Sequence, residues 1–207
     1  SNKARVMQYY YIADNPNPLG EKDTLTSLDF DSTYDRAHKK YHPEIRKYLQ
    51  EFAYYDIFII DAKTGHIVYS VFKELDYATS LLTGPYKNSG LADVFKEARQ
   101  LNANDDTAFS AFKSYTPSYE DPASFIASPI QNESGETVAV LAFQMPIDNI
   151  NTIMTHDHKW KDTGLGNSGE TYLVSEGFKA QSLSRFLIED PEHFASALLD
   201  SGMPAEE

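Results

Sequence analysis

The chain has 207 residues, 41% of them hydrophobic, with a formal net charge of −13 and no cysteine. That length holds one large or two small domains, and neither the mean hydropathy of −0.48 nor any run of about 18–20 apolar residues marks a membrane span. The acidic balance argues against nucleic acid, which needs a basic footprint, and against docking on anionic lipid; the absence of cysteine excludes disulfides, thiolate nucleophiles and cysteine zinc sites.

No signal-peptide pattern opens the chain, and Ser1-Asn2 resembles a cloning scar. Residues 3–13 read as the end of a longer helix, broken by the double Asn-Pro and Gly of DNPNPLGEKD. Ser32–Glu51 reads as two helical pieces, with Pro43 in the first turn of the second. Ile45, Tyr48, Leu49 and Phe52 share a face there and are expected in the core. Residues 1–52 are thus a helical lead-in.

The chain is organised around YYDIFIIDAKTGHIVYSVFKE. Its two runs, Tyr54–Ile60 and His66–Phe72, are dense in β-branched and aromatic residues and flank a turn with Asp61 and Gly65. An antiparallel hairpin is predicted. A helix at GLADVFKEARQ then presents Leu91, Val94, Phe95 and Ala98 as an apolar stripe, and NANDD is a loop. A third strand is expected over Ala108–Thr116, a fourth over Ser124–Gln131 and a fifth over Thr137–Met145, the last apolar on both faces and therefore central. Five antiparallel strands with helices packed on them make an α+β domain over residues 53–150.

Period-two alternation sorts the side chains. If Gln144 faces a cavity, so do Ala142 and Val140, while Phe143 and Leu141 pack on the lead-in; Phe125 and Ala127 share one face of strand four. A helix over Asp148–Lys159 leads away from the sheet into residues 151–207. GLGNSGE, a strand at ETYLVS and a helix with an Asp-Pro start follow, which is too little to bury a core alone.

The ordered series YYDIFIID, VYSVFKE, TGPYKNSGLADVF, PASFIASPI, LAFQMPID and GLGNSGETYLVS resembles the double-Cache family from about Asn15 to Phe186. Those are PAS-like extracytoplasmic sensor domains of bacterial transmembrane receptors. The resemblance implies a membrane-distal PAS-like domain here, followed by only the start of a membrane-proximal one. It also implies flanking membrane helices absent from this chain, pairing of two subunits through the N-terminal helix, and a periplasmic location. The output it implies is a sensor histidine kinase first, with a chemotaxis receptor or nucleotide cyclase as alternatives. An exported binding module without signalling is the reading of another class.

Other chemistries are weaker. Gly164-Leu-Gly166-Asn-Ser-Gly169 satisfies GxGxxG but lies between a helix and a strand, the reverse of a dinucleotide site. His38 and His42 lie one helical turn apart, and His156 and His158 flank Asp157, without an evident third ligand. No acid pair or serine context points to hydrolysis, so no catalytic residue, metal or cofactor is assigned. The candidate ligand residues are Tyr69, Tyr77, Tyr86, Tyr115 and Phe125, which supply ring volume and hydroxyls, with Lys73, Lys87 and Gln144. Amino-acid sensors of the family carry an Arg-x-Trp motif and an Asp where Gln144 stands. Without them, a small carboxylate met by Lys73 or Lys87 is the expected ligand.

Overall fold

The computed structural model describes residues 2–29, 31–103, 105–174 and 180–202. They form two compact units, residues 1–146 and 147–207.

The first unit is a sheet between two helical layers. Helix α1 (Asn2–Gln8) runs into a π-helical turn, Tyr9–Ala13. Helix α2 spans Thr33–Phe52, capped at its start by Ser32, whose hydroxyl accepts the amide of Asp35. Strands β1 (Asp56–Asp61) and β2 (Ile67–Ser70) form the expected hairpin. Helix α3 (Gly90–Ala98) is followed by β3 (Ala108–Phe109), β4 (Lys113–Ser114), β5 (Pro122–Ala123), β6 (Phe125–Gln131) and β7 (Thr137–Gln144). The main sheet is antiparallel in the order β2-β1-β7-β6-β3, which makes β7 central as its two-sided apolarity requires.

Each face of that sheet has its own cover. Phe58, Ile60, Ile67, Phe125, Ala127, Val140 and Ala142 pack with the α3 stripe of Leu91, Val94, Phe95 and Ala98. On the other face, Ile57, Tyr69, Val71, Leu141 and Phe143 meet Ile45 and Leu49 of α2. The alternation expected for Gln144, Ala142 and Val140 against Phe143 and Leu141 is the one found. Register slips between Ile59 and Ile60 and between Ile130 and Gln131 leave Val68 and Val138 unpaired, and both side chains point to solvent.

Three local expectations need correction. The lead-in helix is continuous through Pro43. Proline interrupts a helix by removing one N–H and crowding the carbonyl four residues back; here its solvent-facing position leaves Leu49 and His42 buried on the opposite side. Tyr48 and Phe52 are 44% and 54% exposed, so only Leu49 and, in part, Ile45 of that row enter the core. The third strand is broken: the chain follows β6 only to Phe109, then Ser110 takes the Phe125 amide on its hydroxyl and β4 pairs with β5 in a separate ribbon.

Gly65 closes the β1–β2 turn at φ +68°, and a Cβ there would lie 2.8 Å from Leu82 Cγ. Both strain and collision oppose a side chain. Gly65→Ala is expected to cost about 1–3 kcal/mol, read as a lowered urea midpoint with an unchanged slope.

The second unit holds α4 (Ile147–Met154), a 3-10 turn at His156–His158, α5 (Arg185–Glu189) and α6 (Pro191–Asp200). Asp190 caps α6 ahead of Pro191, the Asp-Pro start expected from sequence. Thr171–Leu173 form no strand; only Val174 bridges to Ala180, and Ser175 lies outside the described residues. The GxGxxG turn wraps an arginine: the Arg185 guanidinium donates to the carbonyls of Gly166 and Gly169 at 3.1 and 3.0 Å and lies over the Trp160 ring.

Candidate functional site

The register of the sheet builds the site. Asp56 pairs with Gln144 across β1 and β7, and Gln144 pairs with Phe125 across β7 and β6. One carboxyl, one amide and one ring therefore stand in a row on the α3 side, at the same end of three strands. Two segments cover this row: Lys73–Tyr77, where the chain leaves β2, and Tyr115–Tyr119, a 3-10 turn after β4.

Asp56 is an anchor. Its carboxylate accepts the amides of Ile57, Val71 and Phe72 at 2.7, 2.9 and 3.2 Å and the Ser70 hydroxyl at 2.8 Å. Burial outweighs these donors and pushes its pKa up to about 6. Glu74 accepts the Tyr55 hydroxyl on one oxygen and the Ser118 hydroxyl on the other, at 3.0 and 3.1 Å. Burial first, and the charges of Asp56 and Asp76 next, push Glu74 up to about 8. Ser118 also accepts from the Gln144 amide at 3.0 Å, joining cover to sheet. Asp76 accepts the Tyr115 hydroxyl at 2.5 Å on Oδ2, while its fully buried Oδ1 has no hydrogen-bond partner. Burial pushes the Asp76 carboxyl up to about 7, opposed by the Tyr115 hydroxyl and the amides of Asp76 and Tyr77 and helped by the charge of Asp56.

Lys73 is the one base in this stretch; it feels the Asp56 charge but makes no ion pair with the acids. Its ammonium donates to the Ser70 carbonyl at 2.7 Å and lies 5.0 Å from the Tyr69 ring centre and 5.8 Å from those of Tyr11 and Tyr77. Burial lowers its pKa to about 7. Its backbone is left-handed, φ 57°, a strained conformation for a side chain of this size. Among the described residues no ion pair joins Asp56, Glu74 or Asp76 to a base. The nest holds an excess of acid.

The eight residues expected from sequence fall into three groups. Tyr115, Phe125 and Tyr86 form one aromatic chain, with Tyr115 edge-on to Phe125 at 5.0 Å, and Gln144 lies beside it in the strand register. Tyr69 and Tyr77 surround the Lys73 ammonium instead. The Tyr69 hydroxyl donates to Nδ1 of His42, whose Nε2–H is spent on the Asp23 carbonyl, and the Tyr77 hydroxyl donates to Tyr34. Lys87 is exposed; its carbonyl accepts from Lys96 and its amide donates to the Gly84 carbonyl. Neither lysine offers a free ammonium to the covered row.

His38 and His42 stack at 4.3 Å. Burial and the nearby Lys73 charge hold them neutral, with pKa values of about 3 and about 4. Sequence reasoning passed over Asp56, Glu74, Asp76, Tyr55 and Ser118. The signal was slight: Glu74 and Asp76 alternate around Leu75 just after the apolar pair Val71-Phe72, with Lys73 between.

No family model matches the sequence, and no curated protein matches it. Solved structures do. The ligand-binding domain of the Campylobacter jejuni chemoreceptor Tlp3, crystallised with 4-methylisoleucine, is 12% identical and aligns over 92% of this chain and 66% of its own, with a TM-score of 0.52. The ligand-binding domain of the Pseudomonas aeruginosa PAO1 amino-acid chemoreceptor PctC, crystallised with GABA, aligns over 89% of this chain and 73% of its own at 13% identity and a TM-score of 0.44. A Vibrio cholerae sensory-box sensor histidine kinase aligns over 53% and 94% at 15% identity and a TM-score of 0.36. The likeness to Tlp3 shows the fold: a PAS-like antiparallel sheet with a helical lead-in, as the double-Cache resemblance implies. This chain spans about two thirds of the Tlp3 domain's length. Among the described residues no helix is long and apolar enough to cross a membrane.

Proposed function

We propose that this chain is the ligand-sensing part of a bacterial membrane receptor, lying outside the cytoplasm and binding a small molecule in the unit of residues 1–146. The observation that carries this reading is the covered row of Asp56, Gln144 and Phe125. A PAS-like sheet holds a polar, water-poor nest there, roofed by two segments that are not themselves part of the sheet. The Ser118 and Tyr115 hydroxyls are held by Glu74 and Asp76 within the fold, and the work proposed for the nest is binding. A ligand that fits one arrangement of the roof better than another shifts the population between them. The roof segment Lys73–Tyr77 holds Tyr11, at the end of the N-terminal helix, through the Lys73 ammonium. That contact gives the shift a route out of the site.

The test is a thermal-shift screen of the purified chain against organic acids, amino acids, amines and sugars. A ligand of the folded state at 100 times its Kd adds about 2.7 kcal/mol, or several degrees for a unit of this size. The expected result is at least one such shift, reduced in Tyr115→Phe, which keeps the ring and removes the hydroxyl bound to Asp76. A panel without a shift overturns the reading.

A further inference from the structure

We infer that the unit of residues 1–146 holds a second ligand site, a groove between α1 and the β1–β2 hairpin, and that this groove takes an uncharged, largely apolar small molecule. This goes beyond the sensor reading above, which places its ligand at the nest, and the two stand or fall separately.

The groove measures about 700 Å³, within the range of about 300–1,000 Å³ typical of small-molecule sites. At about 30 Å³ per water, and with one side open, that is room for roughly 15–20 heavy atoms. Its floor is preformed: Ile67 and Tyr77 are fully buried, and Ala78 nearly so. Its walls are Ala4, Val6 and Met7 of α1 on one side and Val68 of β2 on the other. Val6 and Val68 are exposed, so an apolar ligand seated between them removes both from water.

The polar groups on the wall set the ligand's chemistry. The Tyr77 hydroxyl donates to that of Tyr34 at 2.8 Å, which donates to the Val68 carbonyl at 3.0 Å, and Asp61 accepts the amide and hydroxyl of Thr64. Neither tyrosine has a proton left to give a ligand. Asn2 and His66, also on the wall, can bond a ligand hydroxyl. The two charged groups, Lys3 and Asp61, are of opposite sign and favour neither an anion nor a cation. A charged ligand would give up hydration there without a matching partner. A protein partner needs about 800 Å² a side, and two exposed valines are too little apolar surface to anchor one. Tyr77 also ties the groove to the nest: it ends the segment that roofs the nest, and its carbonyl accepts the Gln8 side-chain amide of α1 at 2.9 Å. A ligand in the groove therefore bears on the joint between the lead-in helix and the roof.

The experiment adds three probes of one shape to the purified chain: biphenyl-4-methanol, biphenyl-4-carboxylate and biphenyl-4-methylammonium. Thermal shift, calorimetry and amide hydrogen exchange are the readouts. The alcohol is expected to raise the melting temperature in a dose-dependent way and to slow exchange in α1 and at Ile67 and Val68. The two charged probes are expected to bind at least tenfold more weakly. Val68→Asp, which puts a carboxylate on the wall, should weaken the alcohol at least tenfold. Phe109→Asp, an exposed position on the opposite edge of the sheet, should not change it, nor should Tyr115→Phe, which changes the nest. Circular dichroism first shows each variant to be folded; if Val68→Asp fails to fold, Val6→Asp takes its place. No binding of the alcohol, equal or tighter binding of a charged probe, or binding unchanged in Val68→Asp overturns the groove site and leaves the sensor reading to its own screen. Binding lost in Tyr115→Phe puts the alcohol at the nest and overturns the groove equally. A dimer in sedimentation that Val68→Asp dissociates makes the groove an interface between copies and overturns the ligand.

Discussion

Asp56→Ala is expected to lower the unfolding free energy by about 2–4 kcal/mol, against about 1 kcal/mol for a typical substitution. Four donors converge on this carboxylate from three places: its own strand at Ile57, the end of β2 at Ser70 and Val71, and the departing chain at Phe72. Val71 N–H has a second acceptor in the Ile57 carbonyl. Phe72 N–H and the Ser70 hydroxyl lose theirs, and each buried group without a partner costs about 1–3 kcal/mol. The gain from no longer burying a carboxylate offsets part of this loss, which keeps the figure below a simple sum. Asp56→Asn retains an acceptor for the amides and should lose about half as much. Urea denaturation of the three chains measures the series; an Asp56→Ala loss under about 0.5 kcal/mol would show that the anchor does not hold β1 to β2.

Glu74→Gln is expected to stabilise the protein increasingly as pH rises. The folded carboxyl keeps its proton up to about 8, whereas in the unfolded chain it titrates near its ordinary value of about 4.3. Between those values the folded state binds the extra proton, so stability falls as pH rises. The contribution is full below about pH 4 and is lost as pH rises through 8. Glutamine is neutral throughout and still accepts from Tyr55. The variant should therefore match the parent near pH 5 and exceed it at pH 9 by roughly 2–3 kcal/mol, a figure reduced for the water that reaches this half-buried group. Lys73 works in the opposite direction: its folded pKa of about 7 lies below the unfolded value of about 10.4, so that term rises with pH only between those two values. Comparing parent and variant at each pH cancels it. Equal melting temperatures at pH 9 would mean a solvated Glu74.

The sheet was legible because its signals are local. The Asp61–Gly65 turn, the α3 stripe and the period-two alternation of β7 each fix a conformation or a face with residues next to one another in the chain. That is enough to place Val140, Ala142 and Gln144 on one side and Leu141 and Phe143 on the other. What escaped depended on partners far along the chain. Pro43 marks a helix start by local rules, but α2 continues past it because His42 is held by Tyr69 and Asp23, neighbours only in the fold. Ala108–Thr116 has strand composition, yet Ser110 is diverted by Phe125 and Ser124. The site was half legible for the same reason. Aromatic residues announce burial, so Tyr115 and Phe125 could be found. The fates of Lys73 and Tyr69 depend on rings and an imidazole from the lead-in, and the burial of Asp76 depends on a roof that sequence composition does not describe.

The central claim is that three carboxyls lie in a water-poor nest under the roof, charged only at a cost. Carbon-13 NMR titration of the side-chain carboxyls measures this directly. The account predicts Asp56, Asp76 and Glu74 titrating near 6, 7 and 8. Titration of all three near the ordinary carboxylate value of about 4 would contradict it, because acids so solvated form no nest.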